Sequence, residues 1–327
     1  MNIKDFKKKL LSASIEVPPL EFLDRFYAMI KHLKLKGFYF NNNTCWIWGK
    51  PAKIFEYDGV LFCVHIASGT YRLLGIPVTM SYAKLVEATS MCIELGLNLR
   101  IGKEDLAEVT ALYPAKELND NYNYYHKDLE NYWETCSRQS RKIHNRLERD
   151  YSVLVLKPQD VPVELVARVS EINHIWINQF KDNAEKSKQT LSYVDNIFKQ
   201  NVPLDNARFI FYTRNETGVV EAYDYFEAWH GVGIAPAGKA IIEGCSTFKH
   251  VTINIVKYLK EELGAGVCLL GGSNFYDLDM TVHKDGNPGL KVAKMSIPHE
   301  VTYTYVYRYN PKAFNSVDVS EKVNELF

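Results

Sequence analysis

The chain has 327 residues, with 39 Lys and Arg against 39 Asp and Glu, 46% hydrophobic residues and 24% charged ones. These proportions exclude a disordered chain, a collagen-like fibre and a membrane-embedded bundle. With no net charge, any polyanion has to be met by a local patch rather than by the field of the whole molecule. At about 150 residues per domain, the length predicts two domains.

Six cysteines are scattered at Cys45, Cys63, Cys92, Cys136, Cys245 and Cys268, with no Cys-x-x-Cys pair and no Cys/His cluster at zinc spacing. They are expected to be reduced and mostly buried, with no metal site, in a cytoplasmic protein. The charged N-terminus MNIKDFKKKLLSASIEV reads as neither signal nor transit peptide. No run approaches the roughly 18 apolar residues that a membrane span requires.

Pro18-Pro19 opens a helix in which Leu20, Phe22, Leu23, Phe26 and Ile30 recur near the helical period. Strand-type runs follow at Cys45–Trp48, Ile54–Tyr57, Val60–Ile66 and Tyr71–Val78. Asp58-Gly59 is expected to turn one hairpin, because both residues tolerate positive φ. Then come a helix over Ser81–Leu95, a strand over Asn98–Ile101, a helix from Lys103 and a Tyr-rich strand at Asn121–His126. Asp128–Asp150 reads as one helix linking two halves.

The second half predicts a strand at Ser152–Leu156, helices at Val163–Phe180 and Thr190–Gln200, and a strand at Arg208–Thr213. Thr217-Gly218 turns into a strand over Val219–Trp229, and a further strand is expected at Lys239–Glu243. A helix over Phe248–Leu263, a strand at Val267–Leu270 and a last strand at Val301–Tyr309 complete the core. Several strands follow one another without helical crossovers, so the class is α+β rather than a doubly wound sheet.

The densest charge lies in the linking helix. Arg138, Arg141, Lys142, Asn145 and Arg149 share one helical face, and with Arg146 they suit phosphates or an RNA backbone. A solvated helix face is the plain alternative. Gly233-Ile-Ala-Pro-Ala-Gly-Lys-Ala240 nearly spells a P-loop, but Ala240 lacks the hydroxyl for Mg²⁺ and a strand-like run follows. It reads as a loop between strands. Leu270-Gly271-Gly272-Ser273-Asn274 follows an apolar strand, where successive glycines either bring backbone amides close to a ligand or make a simple turn. His230, after the aromatic strand ending at Trp229, and His299 are the histidines placed to act as a base.

From the linking helix onward the chain resembles a family of tandem acyltransferase-fold (GNAT-type) proteins grouped with the C-terminal part of phosphatidylglycerol lysyltransferases and with the Fem ligases. The resemblance rests on Tyr124-Tyr125-His126 before Ser137-Arg138 and Lys142-Ile-His144-Asn145-Arg146, and on Ala240-Ile-Ile-Glu243. It rests further on Ser273-Asn274-Phe-Tyr-Asp277 and Gly289-Leu-Lys291-Val-Ala-Lys294-Met-Ser-Ile-Pro298. His144 stands where the family tends to have Arg, and the pyrophosphate loop of acetyl-CoA users does not occur.

The resemblance implies an α+β chain of two tandem GNAT-like domains, each a mixed, mostly antiparallel sheet flanked by helices. They would cover residues 1–127 and 151–327, joined by the basic helix 128–150. It implies an N-acyl or aminoacyl transferase with aminoacyl-tRNA or acyl-CoA as co-substrate and no tightly bound cofactor. Glu243 or His230 would be the base. Arg138, Arg141, Lys142, Asn145, Arg146, Gly271, Gly272, Ser273, Asn274, Lys291 and Lys294 would hold the donor, and Asp277 and Trp229 the acceptor amine, which would lie free or on a modified nucleobase. The alternative is a non-catalytic module whose basic helix binds tRNA, other nucleic acid or a protein partner.

Overall fold

A computed structural model describes all residues except 17–19, 37–51, 68–69, 126–130, 180–193, 200–203, 242–246, 273–274, 282–290, 293, 296–298 and 308–327. The chain opens with α1 (Ile3–Ser12), capped by the Asn2 carboxamide, which accepts from the Lys4 amide at 2.9 Å. Its Phe6 and Leu10, four residues apart, are buried. β1 (Ile15–Glu16) and α2 (Leu20–His32) follow, and α2 buries Phe22, Leu23, Phe26, Tyr27 and Met29 along one stripe.

β2 (Ala52–Tyr57), β3 (Val60–Ala67) and β4 (Thr70–Leu73) complete a four-stranded antiparallel sheet in the order β1-β2-β3-β4. Asp58 and Gly59 turn the β2–β3 hairpin with φ of 51° and 70°, the paired positive values expected of that dipeptide. The strand expected over Tyr71–Val78 stops at Leu73, and Val78 makes only an isolated bridge to Leu61. The expected strand at Cys45–Trp48 lies outside the described residues.

The remaining strands form one sheet. They are β5 (Leu99–Gly102), β6 (Glu117–Tyr125), β7 (Tyr151–Leu156), β8 (Ala207–Arg214), β9 (Val219–Trp229), β10 (Val232–Ala240), β11 (Val267–Leu269), β12 (Phe275–Tyr276) and β13 (Glu300–Tyr307). Their order is β5-β13-β6-β11-β10-β9-β8-β7, with β12 also on β6. Only β10 and β11 pair in parallel among these named strands. β13 inserts between β5 and β6, and β6 pairs with β11, so residues from both sides of position 128 share this sheet.

The helices are α3 (Tyr82–Glu94), α4 (Ala107–Leu112), α5 (Tyr132–Thr135), α6 (Arg138–Asp150), α7 (Val163–Gln179), α8 (194–199) and α9 (Thr247–Leu263). Two expectations need correction here. The single linking helix is two, because Ser137 leaves helical geometry to cap α6, its hydroxyl accepting from the Ser140 amide at 3.0 Å. The Gly233–Ala240 run is not a loop but nearly all of β10, since its alternating small residues pair with β9.

One buried cluster joins α1, α2, the small sheet and one face of the large sheet, and Tyr27 on α2 stacks on Trp229 of β9 at 6.4 Å. A second cluster fills the opposite face, where Leu147 of α6 and Ile253, Val256 and Leu259 of α9 meet Phe226 and Ile210. Cys63, Cys92, Cys136 and Cys268 are free and buried, and burial pushes the thiols of Cys63, Cys92 and Cys268 up. Among the described residues no helix is long and apolar enough to cross a membrane.

Candidate active site

The site begins with a parting of strands. β10 and β11 pair at Val232–Val267, Gly233–Cys268 and Ile234–Leu269, and the pairing ends there. Between Ile234 and Ala237 the register of β10 against β9 slips. Pro236, which has no N–H to give a ladder, sits in that irregularity. Past the slip β10 follows β9, while the chain after β11 follows β6: Leu270 donates to the Tyr122 carbonyl at 3.0 Å and the Tyr122 amide to Gly271 at 3.2 Å. A cleft therefore opens between the second half of β10 and the segment 270–272 that leads to β12.

The β6 wall of this cleft carries buried polar groups. Asp120, fully buried, accepts from the hydroxyls of Tyr122 at 3.3 Å and Tyr276 at 3.2 Å. Lys291 Nζ donates to the Tyr276 oxygen at 3.3 Å. Lys294, also buried, donates to the carbonyls of Leu270, Gly271 and Gly272 at 2.5, 2.9 and 2.8 Å. Burial lowers its pKa to about 8, against the opposing pull of Asp120. Tyr303 lies edge-on to Tyr276, and burial, with Tyr276 and Asp120, raises its phenol while Lys291 opposes.

Two glycines allow this wall to form. Gly271 has φ +66°, a left-handed conformation that side chains disfavour. At Gly272 a Cβ would stand 2.3 Å from the Asp120 carbonyl and 2.7 Å from Asn119 Oδ1, so the backbone crosses β6 in direct contact. On the other face of β6, Asn119, Asn121 and Asn123 are buried, and Asn123 donates to the Thr302 hydroxyl at 2.9 Å. Across the cleft, on β9 and β10, Asp224 is buried and Lys239 half-buried, its ammonium over the Trp176 ring. Burial raises the Asp224 carboxyl well above its usual range, opposed by Tyr212 and Lys239, and lowers Lys239, which Asp224 opposes.

Of the residues expected from the sequence, Gly271, Gly272, Lys291 and Lys294 come together on this wall. Asp277 follows Tyr276 in an exposed turn whose carbonyl accepts from the Met280 amide. Ser273, Asn274 and Glu243 lie outside the described residues. His230 sits in the β9–β10 turn, four residues before Ile234 where the β10–β11 pairing ends, and its Nε2 meets Asp24 Oδ1 at 2.8 Å. Trp229 beside it is packed on Tyr27, on the α2 face of the sheet, away from Asp277, and its Nε1 has no hydrogen-bond partner.

The basic helix is a separate surface on the same sheet face as Asp120. α6 leads into β7, the edge strand, and packs against α9. Five strand spacings separate β7 from β6, roughly 24 Å. Arg138, Lys142, Asn145, Arg146 and Arg149 are exposed. Arg141 differs: its Nη1 donates to the carbonyls of Trp133, Glu134 and Cys136 at 3.1, 3.0 and 2.7 Å, closing the end of α5. His144 packs on Trp133, and burial, helped by Lys257 and opposed by Glu148, lowers its pKa.

Asp120, Tyr122 and Tyr276 are the site residues that sequence reading passed over. Their signal was the run Asn119-Asp-Asn121-Tyr-Asn123, a strand with polar residues at alternate positions and no apolar face to bury.

No family model matches the sequence, and no curated protein does. Solved structures do. L-PGS from Bacillus licheniformis aligns over 93% of this chain and 96% of its own at 14% identity and a TM-score of 0.59. FemX aligns over 97% and 98% at 11% identity and 0.54. This chain has their fold. A conserved protein of unknown function from Bacteroides thetaiotaomicron shares it over 91% of this chain and all of its own, at 13% identity and 0.62. The L-PGS and FemX fold is thus the α+β arrangement of mixed, mostly antiparallel sheets flanked by helices that the sequence motifs implied.

Proposed function

We propose that this chain is an N-acyl or aminoacyl transferase. It moves an acyl or aminoacyl group from an activated donor, an aminoacyl-tRNA ester or an acyl-CoA thioester, to an amine. The amine nitrogen attacks the donor carbonyl carbon, the bond to the ribose oxygen or the thiol sulfur breaks, and an amide forms. One proton leaves the amine and one joins the departing oxygen or sulfur.

The observation that carries this reading is the Lys291–Tyr276–Asp120 chain on the wall of a cleft that opens at parted parallel strands, in a fold shared with L-PGS and FemX. Tyr276 can hand its proton to the departing atom while Lys291 stabilises the oxygen left behind and Asp120 orients it. Glu243, three residues past the end of β10 in sequence, is the proposed base. The exposed Arg138, Lys142, Asn145 and Arg146 would hold donor phosphates. The acceptor, whether a free amine or one on a nucleobase, would enter past Asp277.

The exposed basic face also suits a non-catalytic module that binds nucleic acid, and one experiment separates the two readings. Native mass spectrometry of the full chain mixed with charged tRNA, and separately with acyl-CoA, is expected to give a one-to-one complex with one donor. With charged tRNA, product amide should appear once amines are added. Glu243→Gln should keep the complex and lose the product. A complex that never yields product supports the binding module, and the absence of both complexes overturns the proposal.

A further inference from the structure

Lys294 is a heavily engaged buried charge on the cleft wall. Only 5% of it is exposed. An ammonium has three protons to donate and no acceptor, and Lys294 donates to three consecutive carbonyls, those of Leu270, Gly271 and Gly272. Three carbonyl oxygens drawn to one point repel one another unless a cation stands between them. The backbone itself cannot supply that cation.

The consequence reaches the chemistry. The chain held by Lys294 is the one that crosses β6 at Gly272, too close for any side chain, and three residues beyond the crossing it begins β12. β12 pairs Tyr276 with Leu118 and so sets its hydroxyl on Asp120. Lys294 also stands over the ring of Tyr122, the second donor to Asp120.

We propose that Lys294 does not bind substrate but occupies, as an internal ammonium, a carbonyl-built cation site, and that this plug is what positions Tyr276 against Asp120. The idea builds on the proposed transferase reading, because Tyr276 is the group positioned. It replaces the expectation that Lys294 contacts the donor, since its protons are already engaged. Lys291, whose single described hydrogen bond goes to Tyr276, is the lysine left to meet a substrate. Lys294 is therefore a positioning residue.

The site should accept a free cation once the side chain is removed. In Lys294→Ala at pH 7, the melting temperature should fall by about 5–10 °C, as expected when three buried carbonyls lose their partners. Ammonium or methylammonium chloride should restore at least half of that fall. Tetramethylammonium at the same ionic strength, which has no proton to donate, should not. None of these melts needs turnover, so they test the plug even if the transferase reading fails.

Where the transferase reading holds, the same ammonium salts should restore product formation by Lys294→Ala and leave the wild type unchanged. A variant that melts like the wild type, or that responds equally to all three salts, overturns the proposal. If Lys294→Ala does not fold, the wild-type chain labelled with 15N at lysine Nζ decides. One slowly exchanging ammonium signal, absent from Lys294→Arg, is expected at pH 7, and its absence from the wild type overturns the proposal.

Discussion

Helix α6 and strand β6 both carry charge, but on opposite terms. On α6 the guanidinium and ammonium groups of Arg138, Lys142, Arg146 and Arg149 lie in solvent, where they keep their hydration and interact weakly with one another. On β6 the Asp120 carboxyl is fully buried, accepts from two tyrosine hydroxyls and lies near Lys294. A buried ionic group is poor evidence of stability, since a well-packed apolar replacement is often as good. Its presence in the centre of a sheet, beside a cleft, fits the proposed role in transfer. The exposed helix suits reversible, salt-sensitive attraction, while the buried network suits an arrangement that must not move.

The largest effect on stability should come from breaking that network. Asp120→Ala leaves two tyrosine hydroxyls without their acceptor and a buried ammonium without the opposing charge beside it. It should lower the unfolding free energy by about 3–5 kcal/mol in a urea titration. Retention of wild-type stability would mean that the carboxylate is not engaged as described.

A smaller loss is expected from Gly272→Ala, whose methyl group would stand 2.3 Å from a backbone carbonyl and push the crossing off β6. A cost of about 1–3 kcal/mol is typical of such overpacking. It should be accompanied by loss of product formation, because Tyr276 moves with the crossing. On the exposed helix, Lys142→Glu combined with Arg146→Glu should leave unfolding within about 0.5 kcal/mol of wild type. The same pair should weaken tRNA binding and flatten its dependence on salt. Arg141 is left out of that pair because its ties to three α5 carbonyls would confound a binding effect with a folding one.

The contrast also explains what could be read from the amino-acid order. Amphipathic helices such as α2 and α3, and the Asp58-Gly59 hairpin, were legible because local periodicity and turn chemistry agree with the final packing. The charge on α6 was legible because five Lys and Arg crowd one short run against only Glu148 and Asp150. β10 was not, since Gly233, Ala235, Pro236 and Gly238 carry little strand propensity. Its strand form is imposed by pairing, and Gly238 is needed where a Cβ would stand 1.8 Å from Asp224 Oδ1.

The break between α5 and α6 was hidden for another reason. Ser137 is compatible with a helix interior, and its role as a cap shows only in the bond its hydroxyl accepts from the Ser140 amide, beside the Arg141 bonds to the α5 end. Asp120 and Tyr276 were missed because they are 156 residues apart in sequence and meet only when β12 pairs with β6.

In the proposed reaction Tyr276 serves the transfer at the parted strands. The most direct test uses bulk tRNA charged with radiolabelled amino acids, a mixture of primary amines, and the wild-type chain beside Tyr276→Phe. The ester of aminoacyl-tRNA is cleaved in mild base and an amide is not, so transfer is read as base-stable label. Base-stable label formed by the wild type, reduced at least a hundredfold in Tyr276→Phe with tRNA binding unchanged, is the predicted result. Equal label from both proteins, or none from the wild type with either charged tRNA or labelled acyl-CoA, would contradict it.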